Sequence, residues 1–93
     1  LKITPAILQH EFIGLKVKVV KSTNPNNVGI EGTIIDETRN TFKVQHEDHM
    51  KMLIKKENMF HFMWPDGTVL EIDGKMVVGR PEERVKKRVR RLW

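Results

Sequence analysis

The sequence predicts a mainly β protein: a small, six-stranded, strongly bent antiparallel barrel with short N- and C-terminal helices. Three observations carry this expectation. From Leu15 to Val78, apolar and polar residues alternate with a period of two in one short run after another. Turn-forming clusters separate those runs at short intervals. Gly32 interrupts the second run, where a small barrel needs a bulge or sharp bend to close. At 93 residues, with no linker, repeat or low-complexity segment, the chain is expected to be one domain spanning 1–93.

The elements follow in order. Thr4 suits an N-cap and Pro5 the first helical position, where its missing N–H is harmless. Ile7, Leu8, Glu11 and Phe12 continue at helical spacing and Gly14 is a natural stop, predicting a helix over about 4–13. The barrel is expected over about 15–79. Leu15, Val17 and Val19 alternate with Lys16 and Lys18, a half-buried strand with a basic outer face. Ser22–Asn27 is a polar loop. Ile30, Gly32 and Ile34 share a face of the second strand, and Asp36–Asn40 is a turn. Phe42 and Val44 define the third strand, and Met52 and Ile54 the fourth. Phe60, Phe62 and Trp64, alternating with His61 and Met63, define the fifth and read as core residues rather than a base-stacking platform. Thr68–Ile72 and Lys75–Val78 flank Asp73-Gly74, the signature of a two-residue hairpin turn. Beyond them, Pro81 at a first-turn position and Glu82 and Glu83 at the positive end of a helix dipole predict a helix over about 80–93. Val85, Val89, Leu92 and Trp93 would form its apolar stripe.

Composition excludes several classes. With no cysteine, the chain has no disulfide, thiol nucleophile or Cys-ligated zinc. No apolar run approaches the roughly 20 residues that span a bilayer, and no signal-peptide pattern is present. An intracellular, cytoplasmic protein is the expectation. The formal charge of +5 is unevenly placed. Residues 1–79 hold ten Lys/Arg and ten Asp/Glu, whereas 80–93 hold seven Lys/Arg and two Asp/Glu. The whole excess therefore sits in the last segment, which points to a polyanionic partner. A basic amphipathic helix can also lie on an anionic membrane, but this stripe of four apolar residues is thin for that role.

Protein-borne catalysis finds little support. Ser22 is the only serine and lies in a loop with no nucleophile-elbow context. His46 and His49 lack a clear third ligand and read as polar turn residues. Asp36-Glu37 and Glu47-Asp48 fall in expected turns, where adjacent acids are usually solvated, although paired carboxylates can hold Mg²⁺. RNA binding fits better. Lys16, Lys18, Lys21, Arg39, Lys55 and Lys56, with Arg80, Arg84, Lys86, Lys87, Arg88, Arg90 and Arg91 of the last segment, could line one basic surface that neutralises phosphates. Arginine adds bidentate phosphate contact.

Three segments together resemble a known family: 10–19 (His-Glu-Phe-Ile-Gly-Leu-Lys-Val-Lys-Val), 29–41 (Gly-Ile-Glu-Gly-Thr-Ile-Ile-Asp-Glu-Thr-Arg-Asn-Thr) and 79–86 (Gly-Arg-Pro-Glu-Glu-Arg-Val-Lys). The chain resembles archaeal ribonuclease P protein component 1 from about His10 to Lys87. The resemblance implies an Sm-like barrel within a ribonucleoprotein that removes the 5′ leader of precursor tRNA. It implies that the RNA subunit, with Mg²⁺, is the catalyst, and that this chain binds no cofactor or metal. The implied partners are ribonuclease P RNA, a small zinc-ribbon protein subunit and other ribonuclease P proteins, with precursor tRNA contacted indirectly and no membrane. Carried over residue by residue, Arg80–Lys87 and the Lys16/Lys18 strand become RNA-facing candidates. Ile7, Leu8, Phe12 and Ile13 become candidates for the protein partner, while the residues themselves fit equally an N-terminal helix whose Leu8 and Phe12 cap the barrel core. The competing readings are another RNA-binding small barrel such as a ribosomal protein, a small metal-dependent nuclease using Asp36, Glu37, Glu47 or Asp48, and a pure protein-interaction barrel.

Overall fold

The computed structural model describes residues 3, 5–84 and 89–93. Among these residues seven antiparallel strands form one sheet in the order β4-β3-β2-β1-β5-β6-β7. They are β1 Lys16–Ser22, β2 Glu31–Glu37, β3 Thr41–His46, β4 His49–Ile54, β5 Asn58–Met63, β6 Val69–Asp73 and β7 Arg90–Arg91. The alternation seen in the sequence decides which residues turn inward. Val17 and Val19, Phe42 and Val44, Phe60 and Phe62, and Leu70 and Ile72 are all buried in one cluster. Their rings interlock, with Phe42 edge-on to Phe60 at 5.5 Å between centroids.

Two bulges bend the sheet, one in β1 between Val19 and Lys21 and one in β2 between Ile34 and Asp36. The second lies beyond Gly32, where the sequence places the bend. Gly32 serves a close approach instead: a Cβ there would stand 1.9 Å from the Gln45 carbonyl oxygen of β3. In β4 the inward residue is Leu53, and Met50, Met52 and Ile54 are exposed. Met52 and Ile54 mark the strand but not its core face.

The connections differ from expectation at three places. The N-terminal segment is a 3-10 helix over Pro5–Gln9 rather than a helix reaching residue 13; the expected cap, Thr4, lies outside the described residues. Gly74–Val77 is a 3-10 turn and not the second arm of a hairpin. The Asp73 carboxylate accepts the Lys75 N–H, a cap that turns the chain away from the sheet and buries Val77. The C-terminal helix over 80–93 is not found among the described residues. Pro81–Glu83 is one 3-10 turn, and Arg90–Arg91 pairs with β6. Edge strand β6 offers free backbone groups: Leu92 N donates to Val69 O at 2.8 Å, and Val69 N donates to Trp93 O at 3.0 Å. At residues 90–93 that edge pairing overrides the local helix signals. Val85, Lys86, Lys87 and Arg88 lie outside the described residues.

Candidate nucleic-acid interface

The outer face of the sheet carries the first cluster of cations. Because Val17 and Val19 point inward, Lys16 and Lys18 project from β1 into solvent. Cross-strand register then sets Lys18 between Glu31 of β2 and His61 of β5. His61 in turn faces Glu71 of β6, and Glu71 faces Arg90 of β7. His61 Nε2 lies 3.0 Å from Glu71 Oε2, and Arg90 reaches the same carboxylate at 3.8 Å. Lys16 and Lys18 themselves make no ion pair among the described residues. The bulge in β1 redirects Lys21, which lines a shallow groove with Lys56 and Lys75, next to Ser22, Thr23, Glu57 and Asp73. Lys75 is not among the cations that the sequence singles out; the 3-10 turn at Gly74–Val77 is what brings it to this groove. Arg80 and Arg91 are also exposed.

Two candidates leave this surface. Lys55 and Arg84 are buried, at 0% and 3% exposure, so neither reaches solvent to meet a phosphate. Lys55 Nζ donates to Glu37 Oε2 at 2.6 Å and to the carbonyls of Thr38 and Arg39 at 2.8 and 3.2 Å. The Arg84 guanidinium pairs with the same Glu37 oxygen and donates to the carbonyls of Leu8, His10 and Gly79 at 3.3, 3.0 and 3.3 Å. Gly79 holds φ +91°, a left-handed conformation costly for other residues, and this aims its carbonyl at the cations. Lys55 also lies 4.9 Å from the Phe42 ring centroid, and Arg84 5.0 Å from that of Phe12. Burial pushes the Lys55 ammonium below its ordinary value, opposed by the hydrogen bond and charge of Glu37. Burial does the same to Arg84, again against Glu37. Glu37 is therefore no solvated turn acid. It ends β2 and joins the Lys55–Glu57 turn to the Arg-Pro-Glu-Glu-Arg segment, which Arg84 ties in turn to the N-terminal segment.

Three of the protein-partner candidates move as well. Ile7, Leu8 and Phe12 are fully buried in the chain's own core, where the Phe12 ring stacks on Phe62 at 4.6 Å. A residue in that position has no surface to offer a partner. Ile13 remains exposed. Arg39 is exposed and bridges to Glu83 at 3.2 Å, a surface pair worth about 0–1 kcal/mol. Among the described residues no group of three or more His, Cys, Asp or Glu is placed to hold a metal ion. His46 and His49 do face each other across the β3–β4 hairpin, but the His46 ring lies 2.6 Å from the Glu31 carbonyl oxygen. No helix among the described residues is long and apolar enough to cross a membrane.

These features define a small β-barrel with a cation-bearing exterior and an internal ion cluster at the base of its last segment. The family model described as Ribonuclease P/MRP, subunit p29 matches residues 5–87. The chain is 42% identical to Ribonuclease P protein component 1 of Methanocaldococcus jannaschii, over 98% of this chain and 97% of the relative. It is 48% identical to the protein of the same name from Thermofilum pendens, each chain covered in full. A solved structure of Mth11, described as a homologue of human RNase P protein Rpp29, superposes with a TM-score of 0.60 at 43% identity. That superposition covers 82% of this chain and 99% of the other. The chain belongs to the Ribonuclease P/MRP subunit p29 family and is a ribonuclease P protein subunit.

Proposed function

We propose that this subunit is noncatalytic and contacts the ribonuclease P RNA, supporting 5′-leader removal from precursor tRNA in a cytoplasmic ribonucleoprotein. The observation that carries the reading is the sorting of charge. The one carboxylate of the Asp36-Glu37 pair that is sheltered from water is consumed by two cations, which leaves no paired-acid site there for Mg²⁺. Meanwhile Lys16, Lys18, Lys21, Lys56, Arg80, Arg90 and Arg91 face solvent, as neutralisation of an RNA backbone requires. Arg39 joins them once its weak bridge to Glu83 opens. The Mg²⁺ of the reaction belongs with the RNA subunit. The protein partners in this reading include a zinc-ribbon subunit, with Ile13 the exposed member of the N-terminal candidates.

Reconstitution tests this reading. Ribonuclease P RNA and its protein subunits, with Mg²⁺, should cleave precursor tRNA faster with this chain than without it. The purified chain alone with Mg²⁺ should leave the substrate intact. Cleavage by the chain alone, abolished by Asp36→Ala, would replace the reading with that of a nuclease.

A further inference from the structure

A cleft of about 430 Å³ opens beside the internal ion cluster, lined by Glu37, Thr38, Arg39, Gly79 and Arg80, with Glu11 at one side. Its wall is the backbone that solvates the buried cations, since Thr38, Arg39 and Gly79 supply carbonyls to Lys55, and Gly79 also to Arg84. The cluster is unbalanced. Two buried cations share one carboxylate, which leaves a net positive charge inside the protein. The carbonyls orient dipoles toward it but add no net negative charge, and a buried excess charge is costly until a counter-ion approaches. Buried Arg84 Nε has no acceptor among the described residues. At the cleft, Arg80 is exposed with no ion pair among the described residues, and Arg39 is held only by its exposed bridge to Glu83. Two arginines over an internal cation pair that shares one buried carboxylate, with the charge of Glu82 acting on Arg84 only through space, suit a tetrahedral anion that accepts bidentate guanidinium contacts.

We infer that this cleft is a phosphodiester subsite, taking one backbone phosphate of a bound RNA between Arg39 and Arg80, over the Lys55–Glu37–Arg84 cluster. The inference rests on the RNA-contacting reading above and names a place for that contact. Arg39 exchanges Glu83 for the phosphate, while Lys55 and Arg84 act through their field and never touch the RNA.

The test measures affinity of the full chain for ribonuclease P RNA over a series of salt concentrations, for wild type, Arg80→Gln, and Arg39→Gln with Arg80→Gln. Both side chains are exposed, so the thermal midpoint of the double variant should match wild type; if it does not, the single Arg80→Gln variant, which breaks no ion pair, supplies the reading. The expected result is affinity lowered by about tenfold in the double variant, with a log–log salt slope shallower by about one. Arg80→Lys should recover part of the loss. Wild-type binding that the variants leave unchanged in affinity and slope overturns the subsite and spares the RNA reading. Failure of wild type to bind RNA overturns both. Amide titrations with inorganic phosphate and with a short RNA separate the sources: saturable shifts at Thr38 and Gly79 with phosphate but none with RNA mean a free-phosphate site and overturn the inference. Loss of protein-subunit binding with RNA affinity intact identifies an acidic protein surface as the occupant and overturns it too.

Discussion

Lys18 and Lys55 are the same residue type in one small sheet protein, and they end in opposite environments. Lys18 stands on the outer face of β1 with its ammonium in water. Lys55 follows Leu53 by two residues, on the inward side of the chain as β4 ends, and meets Glu37 in the interior. The same division separates Arg80 from Arg84, four residues apart in one segment. Location relative to the sheet decides whether a cation stands free in solvent or is committed to the fold. The +5 of residues 80–93 is thus not one functional quantity. Arg84 is structural, Val89 packs against the core and Arg90 pairs with β6 through its backbone. Deleting the whole segment would strip the ion cluster and the β6 edge together with the free cations, so point substitutions separate the two roles where truncation does not.

The largest effect should come from breaking the buried side. Glu37→Ala leaves two cations facing each other without a carboxylate and should destabilise by about 3–5 kcal/mol in chemical denaturation. Phe12→Ala should cost about the same, about 3–5 kcal/mol, because the ring is fully buried against Phe62. A near-neutral Phe12→Ala that instead abolished protein-partner binding would return this residue to the interface. Lys55→Met should cost less, about 1–2 kcal/mol, because it leaves a balanced Glu37–Arg84 pair and only frees carbonyls.

Lys55 also makes the buried side sensitive to alkali. Its folded value lies below the ordinary 10.5, so the folded state releases this proton before the unfolded chain does. Between the two values the unfolded state binds more protons, and the contribution of Lys55 to stability rises with pH across that window. Denaturation in the alkaline range should show a rise in wild type, relative to Lys55→Met, as pH climbs toward 10.5. A fall across the same window would mean that pairing with Glu37 outweighs burial. The smallest stability effect belongs to the exposed side: Lys18→Gln should shift stability by no more than about 0.5 kcal/mol.

The sequence made the barrel legible because a half-buried strand writes its own period. Val17 and Val19, Phe42 and Val44, and Phe60 and Phe62 each turn inward as their spacing demands. The ion cluster left no such trace. Its members lie 18 and 47 residues from Glu37, and nothing local distinguishes Arg84 from a surface cation. One hint was present: continuing the inward phase from Leu53 reaches Lys55. The last segment misled for a related reason. Its helical stripe is a local signal, whereas β7 forms because β6 has an unpaired edge, a property of the assembled sheet. Likewise Ile7, Leu8 and Phe12 read equally as an interface or a core until the sheet shows the space they fill.

The division between free and committed cations is tested most directly by the salt dependence of ribonuclease P RNA binding in a triple variant, Lys16→Gln, Lys18→Gln and Lys21→Gln. The expected result is an unchanged thermal midpoint with a log–log slope shallower by about two to three, near 0.9 for each phosphate contact removed. An unchanged slope and affinity in the folded variant would contradict the assignment of the β1 face to RNA.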